Sequence, residues 1–222
     1  MGNTKIDWCD YTYNYVIGCL NNCSYCYAKK MNTRFKWIKD FNKPEWQEKI
    51  FQCKFPKKPS RIFLNSISDI AFWKPEWMVK TIEKVKQYPK HRFLFLTKDF
   101  NVYADYEFPE NCWLGYTIIN QNQMDRFGQS EVLEYNNKIF YSIEPIHSEI
   151  IFHGNPDWLI VGAETGNRKG KIYPKLDWIE LLYEQCKKYE IPFFMKESLQ
   201  ILWDGSLIQN YPEDLMFNKK EI

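Results

Sequence analysis

Cys19, Cys23 and Cys26 fall within eight positions of the stretch VIGCLNNCSYCYAKK (residues 16–30), spaced Cys-x-x-x-Cys-x-x-Cys, with Tyr25 just before the third. Thiolates set this close together bind soft metals: zinc, copper(I) or iron–sulfur clusters. A structural zinc site takes four ligands and leaves no position open. The loop offers three, and the first histidine of the chain is His91. Cys9 and Cys53 are the other thiols at hand, and neither belongs to a second Cys-x-x-Cys pair. Two readings follow. With Cys9 or Cys53 as fourth ligand, the motif is a zinc-stabilised binding module without catalysis. With three cysteines alone, it suits an iron–sulfur cube that keeps one iron open, as a catalytic cluster requires.

The elements that must carry such a loop are legible downstream. RIFLNSISD (61–69), RFLFLTK (92–98), CWLGYT (112–117), KIFYSIEP (138–145), WLIVGAETG (158–166) and PFFMK (192–196) are short runs, rich in β-branched and aromatic residues. Being apolar on both faces, they suit buried parallel strands. Helical periodicity lies between them. Residues 74–88 place Pro75 at a first helical position with Trp77, Met78, Ile82 and Val85 inward. Residues 175–190 place Asp177 at the N-cap with Ile179, Leu182 and Cys186 inward. A third helix is expected within 120–135. Strands alternating with helices predict repeated βα units. With an early strand at Tyr13–Ile17 this gives about seven units: an α/β fold, a partial or near-complete TIM-type (β/α) barrel in one domain, residues 1–222. The cysteine loop follows the first strand.

Each run stops at polar residues. Ser66 and Asp69, Thr97 and Lys98, Thr117, Ser142 and Glu144, Glu164, and Lys196 all fall at predicted strand C-termini. In a βα barrel that end is the rim where active sites are built. Ordinary strand termination explains any one of them; the recurrence points to a rim. Gly162 and Gly166 around Glu164 allow a ligand to approach the backbone closely.

Composition bounds the rest. The chain has 222 residues, 45% hydrophobic and 18% aromatic, enough for a sizeable core. The aromatics fill that core or offer stacking surfaces to a flat ligand. A net charge of +2 argues against a nucleic-acid binder over the whole surface, although basic runs occur around Lys29, Lys57 and Lys169. No apolar stretch approaches a membrane span and the N-terminus shows no signal core, so no membrane partner and a cytoplasmic location are expected. Seven cysteines, an odd number, read there as metal ligands or packed thiols. A metal-free barrel hydrolase has only His91, His147 and His153 as bases, and none sits at a predicted strand end beside a nucleophile.

The three-cysteine motif with an aromatic before its last cysteine resembles the signature of radical S-adenosylmethionine enzymes. The resemblance implies a 4Fe–4S cluster on Cys19, Cys23 and Cys26, and S-adenosylmethionine as cofactor. It further implies reductive cleavage to a 5′-deoxyadenosyl radical and an external electron donor. Tyr25 would pack beside cluster or adenine. Asn65, Ser66, Ser68 or Asp69 would meet the methionine amine. Thr97, Lys98, Thr117, Ser142, Glu144, Glu164 and Lys196 are further candidates for cofactor or substrate. IDWCDYTYNYVIGC, CSYCYA, NSISD, LTK, WLGYTI, SIEP, DWLIVGAETG and FFMK are also similar, in that order, to a phage-associated three-cysteine family that is radical-SAM-like and of unassigned role. That tighter resemblance, the aromatics and the basic runs raise a nucleotide or nucleic-acid base as substrate, with a partner protein to recognise it; a small molecule or a peptide is an equal alternative.

Overall fold

The runs that are apolar on both faces build a sheet. The computed structural model describes residues 4–128 and 136–217. In chain order the elements are β1 (Tyr11–Thr12), β2 (Val16–Ile17), α1 (Tyr27–Phe35), β3 (Glu45–Trp46), α2 (Glu48–Phe51), β4 (Arg61–Phe63) and α3 (Pro75–Lys86). There follow β5 (Arg92–Thr97), β6 (Cys112–Thr117), α4 (Gln121–Gly128), β7 (Lys138–Ile143), β8 (Trp158–Val161), α5 (Leu176–Lys188) and β9 (Phe193–Met195). Seven strands are hydrogen-bonded in the order β1-β4-β5-β6-β7-β8-β9. The fold is α/β, of the partial TIM-barrel type with parallel strands. Every residue of β6, β8 and β9 is buried, as strands covered on both faces must be. The chain divides into two compact units, the first ending at Leu114 and the second running from Gly115 to Met216.

In the first unit, β1 runs parallel to β4 (Tyr11 opposite Ile62) and β4 parallel to β5 (Phe63 opposite Leu94). Asp10 fixes this edge by accepting the Arg61 N–H at 2.7 Å and its guanidinium at 2.6 Å. The expected first strand, Tyr13–Ile17, divides differently. Tyr11–Thr12 joins the sheet, whereas Val16–Ile17 pairs antiparallel with Glu45–Trp46 in a separate two-stranded ribbon. The cysteine loop therefore follows the ribbon strand and not the barrel strand. The break has a visible cause at Asn14. Its Oδ1 accepts the Ile67 N–H at 3.3 Å and the Ser66 hydroxyl at 3.0 Å, so a side chain meets the continuation of β4.

Helix α3 starts with Pro75 in its first turn and buries Trp77, Met78, Thr81 and Val85. Thr81 takes the inward place expected of Ile82 and returns its hydroxyl to Trp77 O at 2.8 Å. Lys84 lies with its amine over the rings of Tyr15, Phe51 and Phe55, at 5.2, 4.6 and 4.9 Å from their centres. It donates to the carbonyls of Phe51 and Cys53.

In the second unit, β7, β8 and β9 are parallel, with Ser142 opposite Ile160 and Ile160 opposite Phe194. Helix α5 buries Ile179, Leu182 and Cys186 as the periodicity predicts. Its N-cap is Lys175, not Asp177, because the helix begins two residues earlier; Asp177 sits in the first turn and accepts the Trp178 N–H. Helix α4 occupies the first part of the helix expected within 120–135, and positions 129–135 lie outside the described residues. Most large aromatics serve the core: Trp158, Tyr116, Phe127 and Tyr141 are fully buried. Phe127 stands 4.7 Å from Tyr116 and 5.2 Å from Tyr141, ring centre to ring centre. Among the described residues, no helix is long and apolar enough to cross a membrane.

Phe140 lies directly over Gly115, where an added Cβ would come within 2.2 Å of its ring. Gly115→Ala should destabilise the protein by about 1–3 kcal/mol through overpacking. Urea unfolding checks this, and the double variant Gly115→Ala/Phe140→Leu should recover part of the loss.

Candidate functional site

The cysteine loop opens at Gly18. Its φ of 114° disfavours other residues, and a Cβ there would meet Phe41 O and Pro44 Cα at 2.9 Å each. The Gly18 N–H donates to Ile67 O and the Cys19 N–H to Phe41 O, at 3.3 and 2.8 Å, so the backbone entering the loop is pinned from two sides. The loop closes at Cys26, the N-cap of α1, whose Sγ accepts the Lys29 N–H at 3.3 Å. Cys19 Sγ accepts the Asn21 N–H at 3.5 Å. Both sulfurs pack, partly buried, against Ile17, Ala28, Ile38, Phe41 and Ile67.

Burial pushes the Cys19 thiol up to about 12 against the Asn21 N–H, with the charges of Asp69, Cys23 and Cys26 acting in the same direction. The Cys26 thiol is raised as well, chiefly by burial, and eased by the Lys29 N–H. A bound cation reverses such a penalty, since a coordinating thiol is deprotonated outright. Among the described residues, no three His, Cys, Asp or Glu side chains stand gathered as a ready-made metal cage. The donor set nevertheless fits an iron–sulfur cluster in its chemistry. Three free thiols share one short loop, two of them beside an apolar patch and each of those two facing a backbone N–H. Cys9 is buried and donates to Ile6 O at 3.9 Å, and Cys53 donates to Lys49 O at 3.3 Å.

After β4 the candidates converge on Asp69. This buried carboxylate accepts the Thr97 hydroxyl at 2.6 Å and the Ala71 N–H at 3.1 Å on Oδ1. Its Oδ2 accepts the Asn21 amide at 2.6 Å and the Lys98 N–H at 3.1 Å. The cysteine loop, through Asn21, and the carboxyl end of β5 are thus bound to one side chain. The Lys98 amine lies over the Tyr25 ring, 5.6 Å from its centre. Asn65, Ser66 and Ser68 brace the same loop. Asn65 clasps the Leu96 backbone with both side-chain atoms, Ser66 donates to Asn14, and Ser68 Oγ accepts the Trp73 indole N–H at 3.0 Å.

The second unit holds another polar group. Glu144, just past β7, pairs with Lys196, just past β9, at 2.5 Å. Gly162 makes room for that pair: a Cβ there would come to 3.0 Å from Lys196 Cδ and 3.3 Å from Glu144 Cδ. Glu164 is buried and receives a bidentate Arg168, Nε to Oε1 at 2.7 Å and Nη2 to Oε2 at 2.8 Å. The guanidinium holds the Glu164 carboxyl below the usual carboxylate range, with His147, 4.0 Å away, adding to the effect. Thr117 and Ser142 are buried beside these strand ends, and the Ile118 N–H donates to Ser142 O at 3.1 Å. His91 is wholly buried among Phe55, Tyr88 and Phe93, and burial lowers its basicity. His153 faces Asp125 at 3.2 Å.

Asn14, Asn21 and the pairing of Arg168 with Glu164 are not found from sequence patterns, and the space at Gly162, expected to admit a ligand, is taken by Lys196 and Glu144. For Arg168 a signal exists, its position four residues after Glu164. For Asn14 and Asn21 nothing local distinguishes them from other loop amides.

Site and fold together define a parallel-stranded partial barrel with a three-thiol loop in its first unit. The same fold occurs in a cysteine-to-serine variant of spore photoproduct lyase. The match has a TM-score of 0.58 at 14% identity and covers 87% of this chain and 77% of that one. No protein of curated function matches in sequence. Residues 3–204 match the family described as "Protein of unknown function (DUF5131)", and the chain belongs to that family.

Asp69→Ala removes the acceptor for four donors, two of them on the cysteine loop and β5. It should cost about 2–3 kcal/mol in urea unfolding. Replacing Arg168 by Met should likewise be destabilising, with a distinct pH profile. Glu164 is held below its ordinary value of 4.5, so its pairing stabilises fully above that value. The stability gap between parent and Arg168→Met should be largest near neutral pH and shrink as pH falls through the lowered folded value.

Proposed function

We propose that the chain is a radical S-adenosylmethionine enzyme in which Cys19, Cys23 and Cys26 hold a 4Fe–4S cluster. The observation that carries this reading is the Cys-x-x-x-Cys-x-x-Cys loop, closed by a helix N-cap cysteine, on a barrel of the type found in spore photoproduct lyase. When bound, such a cluster supplies an electron and an open iron for the methionine moiety, and cleavage of the carbon–sulfur bond gives a 5′-deoxyadenosyl radical.

This chain's residues do the positioning. The Asn21 and Lys29 N–H groups favour thiolates at Cys19 and Cys26. Asp69, saturated by its four donors, holds the loop to β5, while Thr97 and the Lys98 backbone serve it. Lys98 holds its amine over the ring of Tyr25 in the cysteine loop. Asn65, Ser66 and Ser68 set the loop after β4, the place assigned to the methionine amine. In the second unit Thr117, Ser142 and Glu144 are the candidates for ribose hydroxyls or substrate, Lys196 for a carboxylate or phosphate, and Glu164 for a ligand that approaches the backbone between its two flanking glycines. The tighter kinship with the phage-associated three-cysteine family, supported by the motifs quoted above, goes with a nucleotide or nucleic-acid base as substrate. It goes too with an external electron donor and a partner protein.

Anaerobically reconstituted protein should be brown, contain about four iron and four acid-labile sulfide per chain, and release 5′-deoxyadenosine when given dithionite and S-adenosylmethionine. Cys23→Ala should lose colour, iron and product together. Colourless protein with stoichiometric zinc, or product retained by Cys23→Ala, overturns the reading.

A further inference from the structure

Helix α1, which starts at Cys26, is amphipathic the wrong way round. It buries only Ala28 and Asn32. Its opposite stripe, Tyr27, Lys30, Met31, Arg34 and Phe35, follows the spacing of a single helical face and is exposed. Tyr27 is 47% exposed, Met31 37% and Phe35 52%, and Trp37, just beyond the helix, is 37% exposed. A soluble domain normally turns such a face inward. Here an amide holds the turn instead: Asn32 bonds both the N–H and the carbonyl of Ile38, at 3.0 and 3.1 Å.

Two features say what covers the face. The rings of Phe35 and Trp37 are nearly parallel, 16° apart with centres at 5.8 Å, and the Arg34 guanidinium lies 5.1 Å from the Phe35 centre. That is a short stack of two exposed rings with a cation over one of them. Charge is the second. Between Asp10 and Asp40 there is no acidic residue, while Lys29, Lys30, Arg34, Lys36 and Lys39 add five positive charges in a chain whose net charge is only +2. The segment that exposes the rings is thus strongly basic, as is the stretch from Lys49 to Arg61, which carries five positive charges of its own. An anion with flat, unstacked aromatic groups satisfies both features. Single-stranded nucleic acid has that chemistry: bases stack on exposed rings and phosphates pair with flanking lysine and arginine. A duplex hides its base faces and would leave the platform uncovered.

We infer that the outer face of α1, with Phe35 and Trp37 as its stacking platform and Lys30 and Arg34 as its phosphate-pairing cations, binds single-stranded nucleic acid. The inference deepens the substrate reading above and rests on it for its biological sense, but binding is tested apart from radical chemistry.

The full chain, purified and reconstituted without oxygen, is titrated into fluorescein-labelled oligo(dT) long enough to fill a site of about 16 nucleotides. Anisotropy should report binding, and Phe35→Ala/Trp37→Ala should weaken it at least about fivefold. Lys30→Glu/Arg34→Glu should also lower the salt slope by about 1.4, some 0.7 for each phosphate of the single strand that is no longer neutralised. Lys86→Glu, an exposed charge on α3, serves as control and should change neither. The substituted positions, Lys30, Arg34 and Phe35 on α1 and Trp37 just beyond it, are all exposed, so thermal melts of the variants should match the parent. Absence of binding, or binding that Phe35→Ala/Trp37→Ala does not weaken, overturns the inference. Equal affinity for duplex overturns it too. So does co-flotation with phosphatidylglycerol vesicles in the absence of oligo(dT) binding, or a dimer that Phe35→Ala dissolves. Release of 5′-deoxyadenosine is measured on the same preparations: product without oligo(dT) binding in the parent protein removes this inference alone, whereas binding without product in the parent removes the radical reading alone.

Discussion

Taking a carboxylate out of water is costly unless donors replace the lost solvent. Asp69 has four such donors, drawn from the cysteine loop, the turn at Ile70–Phe72 and the end of β5. The first unit is organised around that requirement. The Asn21 amide lies between Cys19 and Cys23 in sequence, so the carboxylate that satisfies it also decides where the thiols stand relative to β5. Gly18 and Asn14 complete the arrangement from the other side, one by admitting a close backbone approach and the other by ending a strand with a side chain. The loop is positioned by polar bonds on one flank and by the patch around Ile17, Phe41 and Ile67 on the other.

The six strands from β4 to β9 were legible because their sequences are apolar on both faces, and burial on both faces is what a covered parallel sheet imposes. The first strand was not. Tyr13–Ile17 is as apolar as the others, but hydrophobicity does not say which sheet a residue joins, and the choice is made by Asn14 and by pairing with Glu45–Trp46. Helix α1 escaped periodicity analysis for the opposite reason. Its apolar stripe faces solvent and its inward face holds one alanine and one asparagine, so a search for a buried stripe finds nothing. The site shows the same division. Residue types near strand ends point to Asp69, Glu144, Glu164 and Lys196, whereas Asn21 as the partner of Asp69 and the filling of the space at Gly162 emerge only from three-dimensional placement.

The two units carry different chemistry. The first carries three free thiols on one short loop, two of them beside an apolar patch, and a carboxylate with four donors. The second holds two carboxylates, each matched by a cation: Glu144 by Lys196 and Glu164 by Arg168. Ion pairs so matched keep these strand ends polar without leaving them strongly charged.

Gly162 gives the last consequence. Its missing side chain is occupied space, filled by the aliphatic stem of Lys196 and the carboxyl end of Glu144. Positions 144, 162 and 196 are therefore one unit of inheritance: a larger residue at 162 is compatible only with shorter or displaced partners at the other two. Drift in this protein's lineage should move the three together or leave all three alone.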